Sequence, residues 1–348
     1  MKMNHTEKMI IELRSDTFTL PTPGMKEAMI PAKVGDDVFG EDPSINELEA
    51  MTAEMFGMEA AIFCPSGTMT NQIGINVHTR PGDEVICDEL SHVYIYEGGG
   101  IAFNSGSQVK TLKGDRSRLT AQMVEDAINP DDIHKARTRV VSIENTTNRG
   151  GGACYPMHDL KEIKKVCERY GLAYHLDGAR LWNALVAKGE NAAEYGQLFD
   201  TISVCLSKGL GAPVGSLLVG SAAHIREARR VRKKLGGGMR QAGFMAAAGI
   251  YALQHHIDRL QTDHLHAAKV ADALRKRPWV SEILEPETNI LIFGVQGRFS
   301  PASFCAYMEQ HHIRCMAISP TRVRLVFHLD VSPEMVMTLI QVIDQMPQ

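Results

Sequence analysis

Two ionisable residues stand where runs of apolar residues give out. Lys208 follows the nearly all-apolar residues 202–206, with Ser207 before it and Gly209, Gly211, Ala212 and Pro213 after it. An amine in such a loop is desolvated and open to close approach, which depresses its pKa and suits Schiff-base chemistry. The competing reading is a lysine in a surface turn, as most lysines are. Asp177 directly follows the apolar residues 173–176 and opens Asp177-Gly178-Ala179-Arg180. A carboxylate at the end of a buried strand is costly unless it meets a positive charge. Arg180 is one such charge. The protonated ring nitrogen of pyridoxal phosphate is another, and Asp177 would keep that nitrogen cationic and electron-withdrawing.

Three further positions bear on this chemistry. Ser66-Gly67-Thr68 follows residues 61–64 and starts a helical run, where free N–H groups and a hydroxyl suit a phosphate. The same triplet is also an ordinary helix cap. Arg324 lies inside Val323-Arg324-Leu325-Val326, an apolar strand pattern that tolerates an arginine only with an anionic partner. His92 follows the strand-like residues 84–87 and reads equally as a site residue or a hydrogen-bonded surface group. The pairs His255-His256 and His311-His312, with His264 and His266, have no metal-ligand context and read as helix-surface residues; no metal site is expected.

These residues need a scaffold that gathers strand ends. From residue 60 onward, strand-like segments (61–64, 84–87, 109–112, 138–143, 173–176, 202–206) alternate with helical ones, so a mainly parallel sheet covered by helices is expected. In such sheets ligands bind beyond the carboxyl ends of the strands, where Ser66, Asp177 and Lys208 fall. Residues 215–220 read as another strand, and 222–276 as helical. Strands over 289–295 and 322–327, a helix near 302–311 and a last helix from Pro333 describe a smaller α+β unit. Ser44 is expected to cap a helix, with Glu47 completing a capping box. The expected organisation is an N-terminal segment (1–30), a large cofactor-binding domain (31–250) and a small C-terminal domain (251–348).

Composition removes other classes. The 348 residues are 22% charged and 44% hydrophobic with net charge -4, which gives no electrostatic case for nucleic acid or an anionic membrane. No apolar run reaches the length of a membrane span. Met1 to Lys8 is polar and lacks the apolar core of a signal peptide, so it reads as a disordered extension of a cytoplasmic protein. Seven scattered cysteines without a C-x-x-C pair read as reduced thiols.

Taken in order, Arg14-Ser15-Asp16-Thr17, the loop 34–43, Ser66-Gly67-Thr68, Ser91-His92, Glu144-Asn145-Thr146, Asp177-Gly178-Ala179-Arg180, Leu206-Ser207-Lys208-Gly209 and Gly236-Gly237-Gly238-Met239-Arg240-Gln241 resemble the low-specificity L-threonine aldolase family. The resemblance spans residues 11–339. It implies the aspartate-aminotransferase-like fold (fold type I) and pyridoxal 5'-phosphate as cofactor. It implies cleavage of L-threonine, L-allo-threonine and related β-hydroxy-α-amino acids to glycine and an aldehyde. The alternative is a β-eliminating lyase or another amino-acid-transforming enzyme on the same scaffold. By the same resemblance Lys208 links covalently to the cofactor, Asp177 meets its ring nitrogen, His92 stacks on the ring, and Gly67 and Thr68 hold its phosphate. Ser15, Arg180 and Arg324 would clamp the substrate carboxylate. Arg240 and the loop 34–43 would reach a neighbouring subunit's site, implying a homotetramer built as a dimer of dimers. Two positions depart from the family: Thr147 stands where members commonly have histidine, and Phe39 where they commonly have tyrosine. Both are expected at the side-chain end of the substrate pocket.

Overall fold

The computed structural model describes residues 10–347, so the expectation for Met1 to Lys8 lies outside the described residues. Seven strands form the central sheet in the order Ala60–Cys64, Ser216–Gly220, Thr201–Cys205, Ala173–Gly178, Thr138–Glu144, Glu84–Asp88 and Gln108–Leu112. Adjacent pairs run parallel except around Ser216–Gly220, which is antiparallel to both its neighbours. Six of these strands are almost wholly buried, which accounts for their largely apolar sequences. Helices cover both faces. Met157–Tyr170 shows why they form: Leu160, Ile163, Val166 and Cys167 recur on one buried face, and Gly171 ends the helix in the left-handed region at φ +63°.

A second, antiparallel sheet has the order Met316–Ala317, Arg322–Val326, Ile290–Val295 and Val280–Leu284. It shares a core with Ala267, Val270, Leu274, Phe304 and Leu339. The N-terminal strand Ile11–Glu12 pairs parallel with Ile313–Arg314, and Ile11 and Leu13 sit in that same core. The start of the described chain is thus built into its C-terminal part. Among the described residues no helix is long and apolar enough to cross a membrane.

Two local expectations are corrected. Asp42, not Ser44, caps the helix Pro43–Phe56: its carboxylate accepts from the Ile45 N–H at 3.0 Å, and Pro43 takes the first helical position. Ser44 instead donates to the Lys33 carbonyl at 2.7 Å. His256, His264 and His266 are buried rather than on helix surfaces, because their helices are packed on more than one side. His256 Nδ1 bonds the Leu210 carbonyl at 2.7 Å, and His264 meets the Asn183 amide at 3.2 Å.

Candidate active site

The carboxyl ends of the central strands and the edge of the second sheet enclose a cavity of about 360 Å³. Its walls include Ser15, His92, Glu144, Arg180, Lys208 and Arg324, which start apart in the sequence and meet here. Lys208 lies just past Thr201–Cys205, and its carbonyl accepts from the Gly211 N–H at 2.8 Å to close the loop. Among the described residues its amine forms no ion pair.

Asp177 is the last residue but one of the adjacent strand Ala173–Gly178 and is 2% exposed. One oxygen accepts from the Ala179 N–H at 3.1 Å; the other, Oδ2, is buried without a partner. Arg180 does not supply that partner. Its Nε and Nη2 donate to the two oxygens of Asp16 at 2.7 and 2.8 Å, and the Asn289 amide adds a third bond to Asp16 at 3.2 Å. Burial alone would raise the Asp16 pKa, but the charge and hydrogen bonds of Arg180, with Lys208 nearby, hold it well below the usual carboxylate range. The pairing left open by the sequence is therefore settled against Asp177–Arg180. An unmatched buried carboxylate oxygen calls for a cationic or N–H group that the polypeptide does not provide.

His92 stands beside Asp177. Its Nδ1 bonds Glu97 at 2.8 Å, and Glu97 is itself held by the Asn71 and Gln72 amides at 2.9 and 2.6 Å. Burial works against the imidazolium, but the Glu97 bond and the charges of Asp177, Glu97 and Glu144 raise the His92 pKa overall. Glu144 sits opposite Asp177 across the paired strands, and its oxygens accept from the backbone N–H groups of His92 and Asn148 at 2.8 and 2.6 Å. Burial, then the Asp177 charge, pushes its pKa up to about 7.

Arg324 enters from the second sheet. It donates to the Asn148 side chain at 2.6 Å and the Arg14 carbonyl at 3.0 Å, while its buried Nε has no partner. Burial, then the neighbouring Arg180 charge, lowers its pKa to about 10, which still leaves it cationic at neutral pH. Gly67 and Thr68 begin the helix Gly67–Asn76, where Ser66 caps the Met69 N–H at 3.2 Å. A side chain on Gly67 would come within 2.7 Å of Cys205 Sγ, so only glycine lets this helix start sit against the strand that leads to Lys208.

Six expected site residues do not line the cavity: Asp177, Gly67 and Thr68, described above, and Thr147, Phe39 and Arg240. Thr147 is fully buried, and its hydroxyl donates to the Arg116 carbonyl at 2.9 Å, so it does not line the cavity. Its N–H bonds the Ala153 carbonyl at 3.0 Å, and this turn points the side chain away from the pocket. Phe39 is 75% exposed, and Arg240 pairs with Asp36 at 2.8 Å on the same outlying loop. Tyr96, Arg149 and the edge residues Met316, Ala317 and Ile318, in contrast, line the cavity without having been singled out from sequence. Asp16 and Glu144 were visible only as letters of motifs.

Residues 12–297 match the beta-eliminating lyase family. The low specificity L-threonine aldolase of Escherichia coli K12 is 45% identical over 326 residues, covering 93% of this chain and 96% of that one. A threonine aldolase structure from Leishmania major superposes with a TM-score of 0.84 over 96% of this chain and 99% of its own, at 20% identity. A structure of SPT with PLP gives 0.73 over 96% and 86%, at 16% identity. Chains this far apart in sequence share the fold, and the fold is that of fold-type-I enzymes.

Proposed function

The chain belongs to the beta-eliminating lyase family, and from that premise we propose that it is a pyridoxal-phosphate-dependent aldolase. Its substrates are L-threonine, L-allo-threonine and related β-hydroxy-α-amino acids, and its products are glycine and an aldehyde. The observation that carries this reading is the unpartnered, buried Oδ2 of Asp177, together with an unpaired Lys208 past the end of the neighbouring strand. With the close-packed helix start at Gly67, these residues fit pyridoxal phosphate.

When bound, that group supplies an electron sink conjugated to the substrate's Cα. Lys208 would anchor it covalently through its amine, which forms no ion pair among the described residues. Asp177 would hold the ring nitrogen protonated, Gly67 and Thr68 would receive the phosphate, and His92, held by Glu97, would pack against the ring. Arg324 and Ser15 bind the substrate carboxylate. Arg180, committed to Asp16, braces that wall and contributes field more than a free fork of donors. Fixing the carboxylate orients the Cα–Cβ bond for cleavage, which is where positioning lowers the barrier. With Nδ1–H committed to Glu97, His92 presents Nε2 as the atom that accepts the β-hydroxyl proton. Arg240 and Phe39 lie outside this cavity, so the roles expected of them require a second copy of the chain, and a homo-oligomer is part of the proposal.

The test is product analysis with L-threonine. Stoichiometric glycine and acetaldehyde support the aldolase. Ammonia and 2-oxobutanoate would instead mean β-elimination and overturn it. Lys208→Ala, refolded to the same far-UV spectrum, is expected to abolish glycine release.

A further inference from the structure

Once Lys208, Arg324 and the Arg180–Asp16 pair have been given their tasks, one cation in the cavity wall is left over. Arg149 follows Asn148, the residue that holds Arg324, so the two guanidiniums enter the cavity from adjacent supports. Nη1 of Arg149 donates to the Ile318 carbonyl at 3.0 Å, and the guanidinium carbon lies 5.6 Å from the centre of the Tyr96 ring. These contacts aim the group without neutralising it. Among the described residues Arg149 forms no ion pair. The one carboxylate in the cavity wall, Glu144, already accepts a backbone N–H on each oxygen.

The helix start at Gly67 packs against Cys205, whereas Arg149 lies with Tyr96 and Ile318 on the Arg324 side. Threonine's methyl group offers Arg149 nothing, and its arrival would cost the guanidinium part of its remaining hydration. A second carboxylate would match it with paired, charge-assisted hydrogen bonds.

We propose that this site is built for β-hydroxy-α-amino dicarboxylic acids, with Arg324 taking the α-carboxylate and Arg149 the side-chain carboxylate. The inference rests on the aldolase reading. With 3-hydroxyaspartate, the Cα–Cβ bond breaks and its electron pair stays with the glycine fragment, where a proton replaces the lost carbon. The β-hydroxyl gives up its proton as its C–O bond becomes C=O, so the products are glycine and glyoxylate. The reaction class that consumes the second product is one acting on a 2-oxo acid rather than on a neutral aldehyde.

The test compares kcat/KM for 3-hydroxyaspartate, both β-epimers, with that for L-threonine in the holoenzyme. The wild type is expected to favour the dicarboxylic acid by at least about 10-fold, and Arg149→Gln to lower that ratio by about 10- to 100-fold, the size of a lost charge-assisted contact. Arg149→Lys should restore part of it. Preference for threonine in the wild type overturns the proposal. So does an equal loss on both substrates in Arg149→Gln, which would put Arg149 on the shared α-carboxylate. A second readout does not need turnover. L-Aspartate, which has no β-hydroxyl, should bind the holoenzyme at least about 10-fold more tightly than L-alanine by calorimetry, and Arg149→Gln should erase the difference. Should neither β-hydroxy acid release glycine, the aldolase reading falls, and this binding comparison still decides whether the second carboxylate site exists.

Discussion

Replacing Asp16 by Asn keeps the shape of the side chain that grips Arg180 while removing its charge. The pair lies deep, with side chains 6% and 0% exposed, so water cannot take the place of the lost partner. Whichever way the new amide turns, its NH2 confronts a donor. At the Oδ1 position it faces Arg180 Nη2; at Oδ2 it faces both Arg180 Nε and Asn289 Nδ2. Removing one member of a buried ion pair costs about 3–5 kcal/mol, because the remaining charge is stranded. Asp16→Asn is therefore expected to lose about that much in urea unfolding of the cofactor-free protein. Arg180→Gln should cost a similar amount. The double variant should cost less than the two singles together by at least about 1 kcal/mol, because the second substitution removes the charge the first had stranded. Additive effects, or a cost below about 1 kcal/mol for Asp16→Asn, would refute the view that this pair is the reason Arg180 can be buried.

Asp177→Asn is expected to retain cofactor while turnover falls by at least about 10²-fold, the scale of losing one aimed electrostatic partner; near-normal turnover would make the carboxylate purely structural. Thr147→His should lower stability by about 1–3 kcal/mol through overpacking, with little change in substrate preference, and a large change in the threonine-to-phenylserine ratio would show that this position reaches the pocket after all. The pH dependence follows from histidines held neutral. Burial, with neighbouring histidines and Arg139 for His78, lowers the pKa of His78 to about 3, while burial lowers those of His175 and His264 to about 4. Depressed values mean that their contribution is present above the unfolded value of about 6.5 and lost as pH falls. Together they remove about 6 kcal/mol between about pH 8 and about pH 5, of which Glu144, raised by burial, returns about 2–3 over the same interval. Urea unfolding should accordingly show a less stable protein at about pH 5 than at about pH 8, and equal stability would contradict this account.

What the sequence disclosed, and what it withheld, follows from the range of the forces involved. Lys208 and Asp177 were legible because a buried strand announces itself by an unbroken apolar run, and the residue that ends it is fixed by the chain itself. The partner of Arg180 was not legible, since Asp16 lies 164 positions away and nothing local distinguishes it from Asp177. Thr147 shows a different limit. It sits three residues beyond a strand, and only the turn to Ala153 decides which way its side chain points. Two-residue strands such as Ile11–Glu12 and Met316–Ala317 are too short to carry a period. His264 and His266 looked like surface residues because they stand in the mostly polar stretch 261–266, yet the helix Leu260–Leu274 buries nine of its residues, Asp263 among them.

The pairing of Ile11–Glu12 with Ile313–Arg314 also sets a timetable for the molecule's birth. Residues 11–16 are synthesised some three hundred residues ahead of the strand they pair with and of Arg324, which donates to the Arg14 carbonyl. Until then Ser15 and Asp16 have no fixed address, and Arg180 has no counter-charge to be buried against. The central sheet can assemble while translation continues, but the wall that would grip a carboxylate closes only with the last part of the chain. A polypeptide halted before residue 313 would therefore have most of its architecture and no finished pocket.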